Sequence, residues 1–188
     1  METPSSPDIP GRRTETRLYF ALQAEQMLSR IISGGQTGAD RAALDAALES
    51  GFPAGGSCPA GRRAEDGPIS DFYPLTEIPG GYRRRTRQNV IDADGTVVFH
   101  QGPLSGGTKL TRDYAIAEGK PCKLIDISQV DPPQAAALLL GFIRDSEIRV
   151  LNVAGPRSSG CPGIYRFVKQ AVALSLQQLR SGAASPGY

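Results

Sequence analysis

Histidine is nearly absent from this chain: His100 stands alone. That excludes a histidine metal cluster, and any serine–histidine chemistry beyond this one residue. Cysteine is scarce as well. Cys58, Cys122 and Cys161 lie far apart, form no Cys-x-x-Cys and cannot all pair within one chain. A reducing, cytoplasmic compartment is therefore expected. No run of about 18 apolar residues is present to span a membrane, and the polar stretch over 1–17 lacks the apolar core of a signal peptide. Charge of one sign is missing too. Lys+Arg 21 against Asp+Glu 19 leave a net charge of +2, which excludes a polybasic nucleic-acid coat. No repeat is visible, and no linker divides the middle.

What is present suits one soluble globular domain: 188 residues, 39% hydrophobic and 21% charged. Gly 22 and Pro 15 point to many short turns. Residues 1–25 mix Pro, Ser, Thr and charge and read as a mobile tail, with a short helical lead-in over 18–28. Residues 181–188 are Gly/Ala/Ser/Pro-rich and read as a frayed end. The domain is expected over 26–180.

Within it, short apolar runs alternate with helical patterns. Strands are predicted over 28–32, 95–100, 122–127 and 149–154, with a weak one over 52–57. Helices are predicted over 39–50, 83–93, 108–118 and 163–180. Another follows Asp131-Pro132, which has N-cap and N1 chemistry. Strands alternating with helices predict an α/β fold: a single Rossmann-like, three-layer domain whose mainly parallel sheet has helices on both faces. Ligands in such folds bind outside the carboxyl ends of the strands, so the loops that follow the strands are where chemistry is expected.

Three of those loops are small and polar. The first is Ser33-Gly34-Gly35-Gln36-Thr37-Gly38-Ala39-Asp40. The second is Gly102-Pro103-Leu104-Ser105-Gly106-Gly107-Thr108-Lys109, and the third is Gly155-Pro156-Arg157-Ser158-Ser159-Gly160. Glycine lets a backbone approach a ligand closely, and a following helix N-terminus offers free N–H groups to an anion. Three tight turns would use the same residues, but their recurrence on one rim favours an anion. The first loop is not a dinucleotide fingerprint, because Ser33 stands where a glycine is needed and no acid follows about 20 positions on. It is not a P-loop either, since no Gly-Lys-Ser/Thr closes it.

Six arginines fall between 62 and 87. Arg84 and Arg85 read as solvated surface charge. Arg87 reads as an anion ligand, beside Gln88-Asn89 and ahead of the strand that leads to the second loop. Asp40 has two readings: it holds a metal or ligand hydroxyl, or it is a first-turn acid favoured by the helix dipole. Cys161 reads as a small buried thiol.

The segment Ile31-Ile32-Ser33-Gly34-Gly35-Gln36-Thr37-Gly38-Ala39-Asp40-Arg41 closely resembles the opening of the molybdenum-cofactor carrier family. Arg85-Thr86-Arg87-Gln88-Asn89-Val90, Ser105-Gly106-Gly107-Thr108-Lys109-Leu110-Thr111 and Leu151-Asn152-Val153-Ala154-Gly155-Pro156-Arg157 resemble its later blocks. The four blocks in this order cover roughly 29–180. That family is a branch of a Rossmann-like superfamily that also holds the lysine-decarboxylase-like phosphoribohydrolases. In those enzymes an arginine precedes the central strand, and a PGGxGTxxE loop follows it. Arg87 resembles the arginine and Gly106-Gly107-Thr108 part of the loop, but Thr111 stands at the glutamate.

The resemblance implies a carrier rather than a hydrolase. Its cargo would be the molybdenum cofactor, a pterin with a dithiolene, a terminal phosphate and an oxo-molybdenum group. It also implies self-association and delivery to molybdenum enzymes. The cargo-binding residues are then Gly34, Gly35, Gln36, Thr37, Gly38, Asp40, Arg87, Ser105, Gly106, Gly107, Thr108, Lys109, Asn152, Arg157 and Ser158, with no protein ligand to the metal. The residues themselves support a small anionic ligand with at least one phosphate. The alternative is a nucleotide-binding or nucleotide-processing protein, and a role for Mg2+ stays open.

Overall fold

The computed structural model describes residues 28–183. The tail expected over 1–25, most of its helical lead-in, and the chain beyond 183 lie outside the described residues. Five parallel strands form the central sheet: β1 (Arg30–Ile32), β2 (Ala54–Gly55), β7 (Gly95–His100), β8 (Cys122–Asp126) and β9 (Val150–Ala154). Their order is β2-β1-β9-β7-β8. Two small ladders stand apart from it. Strand β3 (Ser57–Pro59) pairs in parallel with β6 (Thr76–Ile78), and β4 (Arg63–Ala64) pairs antiparallel with β5 (Gly67–Pro68).

Five helices cover the sheet: α1 (Ala39–Glu49), α2 (Gly81–Asp92), α3 (Gly106–Ala117), α4 (Pro132–Asp145) and α5 (Ile164–Ala183). Helices α1, α4 and α5 pack together on one face, and α2 packs on α3 on the other. The expected three layers are therefore present. Strand β7 carries Thr96, Val97, Val98 and Phe99, all fully buried, because a strand between two helical layers has no polar face. On α1 the buried positions are largely alanine (Ala39, Ala42, Ala43, Ala46, Ala47), small side chains that let the helix pack closely. From α5, Ile164, Val168, Ala171, Val172 and Leu176 complete that core at helical spacing.

The strand order has a simple logic. Moving the β9–α5 unit to the front of the chain makes the order 3-2-1-4-5, which is the order of a dinucleotide-binding sheet. The last unit of this chain thus occupies the place that the first unit holds in that arrangement. Register confirms it: Ile31 aligns with Leu151 on one side of β9, and Val97 with Val153 on the other.

Two expectations are corrected. Strand β1 begins at Arg30, not residue 28, because Ser29 and Arg30 both donate their N–H to Arg149 O, at 2.8 and 3.1 Å. The single weak strand over 52–57 is two strands in two sheets. Gly56 separates them at φ 123°, pressed against Ser33 so closely that a Cβ would lie 2.2 Å from its carbonyl oxygen. The stretch 60–78, without periodicity in sequence, holds β4, β5 and β6. The last helix, expected over 163–180, runs over Ile164–Ala183 as α5. Among the described residues no helix is long and apolar enough to cross a membrane.

Candidate functional site

Because all five sheet strands are parallel, the loops after β1, β7 and β9 share one edge. The strand order reverses between β9 and β7, and the crevice outside that switch point is where this architecture receives ligands. A recess of about 100 Å³ lies there, lined by His100, Gln101, Ser105 and Thr108 from the second loop and by Pro156 and Cys161 from the third. It is far smaller than the roughly 300–1,000 Å³ of pockets that enclose a drug-sized ligand. It suits one end of a ligand, with the remainder on the rim. His100 Nδ1 lies 2.8 Å from Gly102 O, a carbonyl oxygen that can only accept, so that nitrogen carries a proton. Cys161 Sγ donates to Gln101 Oε1 at 3.2 Å, and burial pushes its thiol up from its ordinary value.

The start of α3 borders the recess through Ser105 and Thr108. Ser105 stands at its N-cap in extended backbone, with no side-chain cap. The first rung of the helix is Lys109 N–H to Ser105 O at 3.1 Å. The N–H groups of Gly106, Gly107 and Thr108 precede that rung and are available to an anion. By contrast α4 is fully capped: Gln134 N–H donates to Asp131 Oδ1 at 2.8 Å, and Asp131 N–H to Gln134 Oε1 at 2.9 Å. A Cβ placed on Gly107 meets no atom within 4 Å.

The first loop is occupied by the protein itself. The Arg85 guanidinium lies across Gly34, where a Cβ would sit 2.0 Å from Nη1. Arg85 Nη1 donates to Asp40 Oδ2 at 3.1 Å, and both side chains are about nine-tenths buried. The pair joins α2 on one face of the sheet to α1 on the other, over the end of β1. Burial pushes the Asp40 carboxyl above its ordinary range, against Arg85 and the backbone N–H groups of Gln36 and Gly34, which pull it down. Gly38 precedes α1 at φ 78° and abuts the third loop, so a Cβ there would lie 2.4 Å from Pro156 O. That carbonyl also accepts Ala39 N–H at 3.2 Å, satisfying the start of α1. Ser33 Oγ donates to Val153 O at 2.6 Å.

Loops one and three are then stitched by a carboxylate from elsewhere. Ser158 N–H donates to Thr37 Oγ1 at 3.2 Å. The Thr37 hydroxyl donates to Glu65 Oε1, which also accepts Ser159 N–H at 3.2 Å. Ser159 Oγ donates to Glu65 Oε2 at 2.5 Å, and Arg157 Nη1 lies 3.7 Å from that oxygen. Gln36 Oε1 receives the N–H of Thr37 and of Glu65, at 3.0 and 2.9 Å. Glu65 and Asp66 form the two-residue tip of the β4–β5 hairpin. Asp66 pairs with both terminal nitrogens of Arg41, at 2.5 and 3.0 Å. Arg62 holds the base of this excursion, donating to the carbonyl oxygens of Ile69, Ser70, Tyr73 and Leu75.

The residues singled out in sequence are therefore distributed. Ser105 and Thr108 line the recess, and Gly106 and Gly107 lie between them in the chain. Gly34, Gly35, Gln36, Thr37, Gly38, Arg157 and Ser158 lie on the other side of the third loop. The other candidates lie away from the recess, and the reading of Arg85 as surface charge needs correction. Arg87 is exposed and pairs with Glu118 at 2.7 Å, beyond the far end of α3. The buried arginine of α2 is Arg85, which reads in sequence as surface charge. It shares its face with Asn89, four residues on, which holds the Ser57 backbone at 2.7 and 3.1 Å. Asn152 lies within the sheet, donating to Thr96 Oγ1 at 3.2 Å, not at the rim. Lys109 lies along α3 against Asp113 at 2.5 Å. Asp40 is an internal ion-pair partner, and among the described residues no group of three or more His, Cys, Asp or Glu could hold a metal ion. Glu65 was missed. Its only signal is Asp66-Gly67, a hairpin dipeptide in a stretch otherwise without pattern.

The pattern of the Circularly permutated YpsA SLOG family matches residues 31–176. No curated protein matches the chain. A solved structure at 1.45 Å resolution, of the "Putative molybdenum carrier protein" from Syntrophus aciditrophicus SB, is similar to it. The two share 43% identity over 79% of this chain and 95% of that one, with a TM-score of 0.77. The strand order, with the β9–α5 unit in the first unit's place, agrees with the permutation in the family's description.

Proposed function

The chain belongs to the circularly permuted YpsA SLOG family, and on that premise we propose that it binds the molybdenum cofactor as cargo, for storage or transfer. The observation that carries this reading is Gly107. It occupies the second position of α3, has open space around it and does not adopt a positive φ. Neither packing nor backbone geometry calls for glycine there, and a helical glycine is destabilising by roughly 0.5–1 kcal/mol relative to alanine. Close approach of a ligand to the N–H groups of Gly106, Gly107 and Thr108 accounts for it. One anionic end of the cargo, a phosphate or an oxo-metal group, occupies the recess. The pterin then lies along the third loop. The name of the similar structure supports the choice of cargo.

A nucleotide is the second reading, supported by the 3-2-1-4-5 order that appears once β9 is counted first. Base removal is not part of either. Thr111 donates its hydroxyl to Gly107 O at 2.9 Å, and Asp113 is held by Lys109 and Arg112. No free carboxylate on α3 faces a departing base.

The test is to load the full chain with cofactor anaerobically, filter, and use the retained fraction to reconstitute a cofactor-free molybdenum enzyme. Retention and reconstitution well above an albumin control are expected, with weaker retention of adenosine monophosphate. Tight retention of the nucleotide without retention of the cofactor would replace the first reading with the second.

A further inference from the structure

We infer that the third loop carries a second oxyanion subsite, formed with Thr37 of the first loop, and that Glu65 occupies it as an internal anion until a ligand oxyanion takes its place. This rests on the proposed function, in that one ligand with two separated anionic groups would span both sides of the third loop.

The geometry is that of an anion cradle. Glu65 is received by the Thr37 hydroxyl, the Ser159 N–H and hydroxyl, and the Arg157 guanidinium. These donors come from two loops separated from Glu65 by 28 and 94 residues. The two hydroxyls hold the Glu65 carboxyl below its ordinary range, so it is an anion at neutral pH. A tetrahedral oxyanion such as a phosphate monoester offers the same acceptors, with more charge and one more oxygen.

The residue that fills the cradle sits on an element suited to leaving it. The β4–β5 ladder has two residue pairs, Arg63 with Pro68 and Ala64 with Gly67. A ladder of that size has little stability of its own. Its tip is held by the Glu65 side chain in the cradle, by the Glu65 N–H on Gln36 Oε1 at 2.9 Å, and by Asp66 on Arg41. The two carboxylate anchors are electrostatic, and an incoming oxyanion competes directly with the first. When Glu65 leaves, the Asp66–Arg41 pair and the Arg62 network keep the hairpin attached at its flank and base.

The experiment titrates the full-length chain with inorganic phosphate and follows the amide resonances of Ser159 and Gly107 separately. Glu65→Ala is expected to tighten phosphate binding about tenfold or more, with the gain seen at Ser159. Glu65→Gln keeps the size and loses the charge, and is expected to give a smaller gain in the same place. Hydrogen exchange over 63–68 should rise when phosphate binds the wild-type chain. If both folded variants bind phosphate no more tightly than wild type and Ser159 does not move, the second subsite is overturned. A response at Gly107 in that case leaves the recess reading standing. A response at Ser159 alone supports the subsite and overturns the recess.

Discussion

The first and second glycine loops resemble each other in sequence, yet their glycines face opposite situations. Gly34 and Gly38 are surrounded by protein: a Cβ on the first would collide with Arg85, and on the second with Pro156. Gly107 has nothing within 4 Å. One loop is glycine-rich so that the two helical layers and the third loop can close over the end of β1. The other has no such internal reason. Glycine content alone therefore marks close approach without saying what approaches, and only the neighbours distinguish a packed loop from a receiving one.

The largest expected effect tests the packed loop. Asp40→Ala leaves Arg85 buried without its carboxylate, and a loss of about 3–5 kcal/mol in urea unfolding is expected. Gly34→Ala should also destabilise, because the guanidinium must move off the loop. If both variants unfold like wild type, the first loop is not held by this pair and the contrast fails.

Next comes the receiving loop, where the sign should reverse. Gly107→Ala should leave the melting temperature unchanged or raise stability by up to about 1 kcal/mol, because the native backbone there suits alanine. It should weaken phosphate binding in calorimetry by about tenfold, equivalent to 1.4 kcal/mol. Lost stability with unchanged binding would return Gly107 to a structural role.

A smaller effect is expected at Arg87. Its pair with Glu118 is exposed and remote from the recess, so Arg87→Ala should cost at most about 1 kcal/mol of stability and leave phosphate binding as it was. A clear loss of binding would restore this arginine to the site.

The smallest effect is in pH. Glu65 is held below its ordinary value near 4.5, so its hold on the two loops is complete above that pH and is lost as pH falls further. Asp40 is raised, so the burial penalty on its anion is relieved as pH falls toward the acid range. Hydrogen exchange over 63–68, measured from neutral pH to below 4.5, should rise only at the acid end, while residues 34–40 stay protected.

The alternation of strands and helices was legible because its signals are local. Strand β7 has β-branched residues and Phe99 in an unbroken apolar run, and α4 announces itself with Asp131-Pro132. Strand order was not legible, since nothing near 150–154 says that this strand enters between β1 and β7. Arg85 and Arg87 differ by two positions, and which of them is buried depends on how α2 is rotated about Asn89. Glu65 was invisible for a related reason. A single carboxylate in a patternless stretch gains meaning only from donors 28 and 94 residues away.

The position of β9 also bears on how the chain reaches this state. Ile31 and Val97 both wait for partners in a strand that is synthesised after all the others in the sheet. Until 150–154 emerge, β1–β2 and β7–β8 are two separate pairs with unsatisfied inner edges. Closing them joins residues about 120 positions apart, a non-local step of the kind that slows folding. Exposed strand edges in the interim invite association with other chains. A nascent chain that stalls before 150 therefore holds two half-sheets and no centre, and its vulnerability to aggregation should be greatest just before 150–154 emerge.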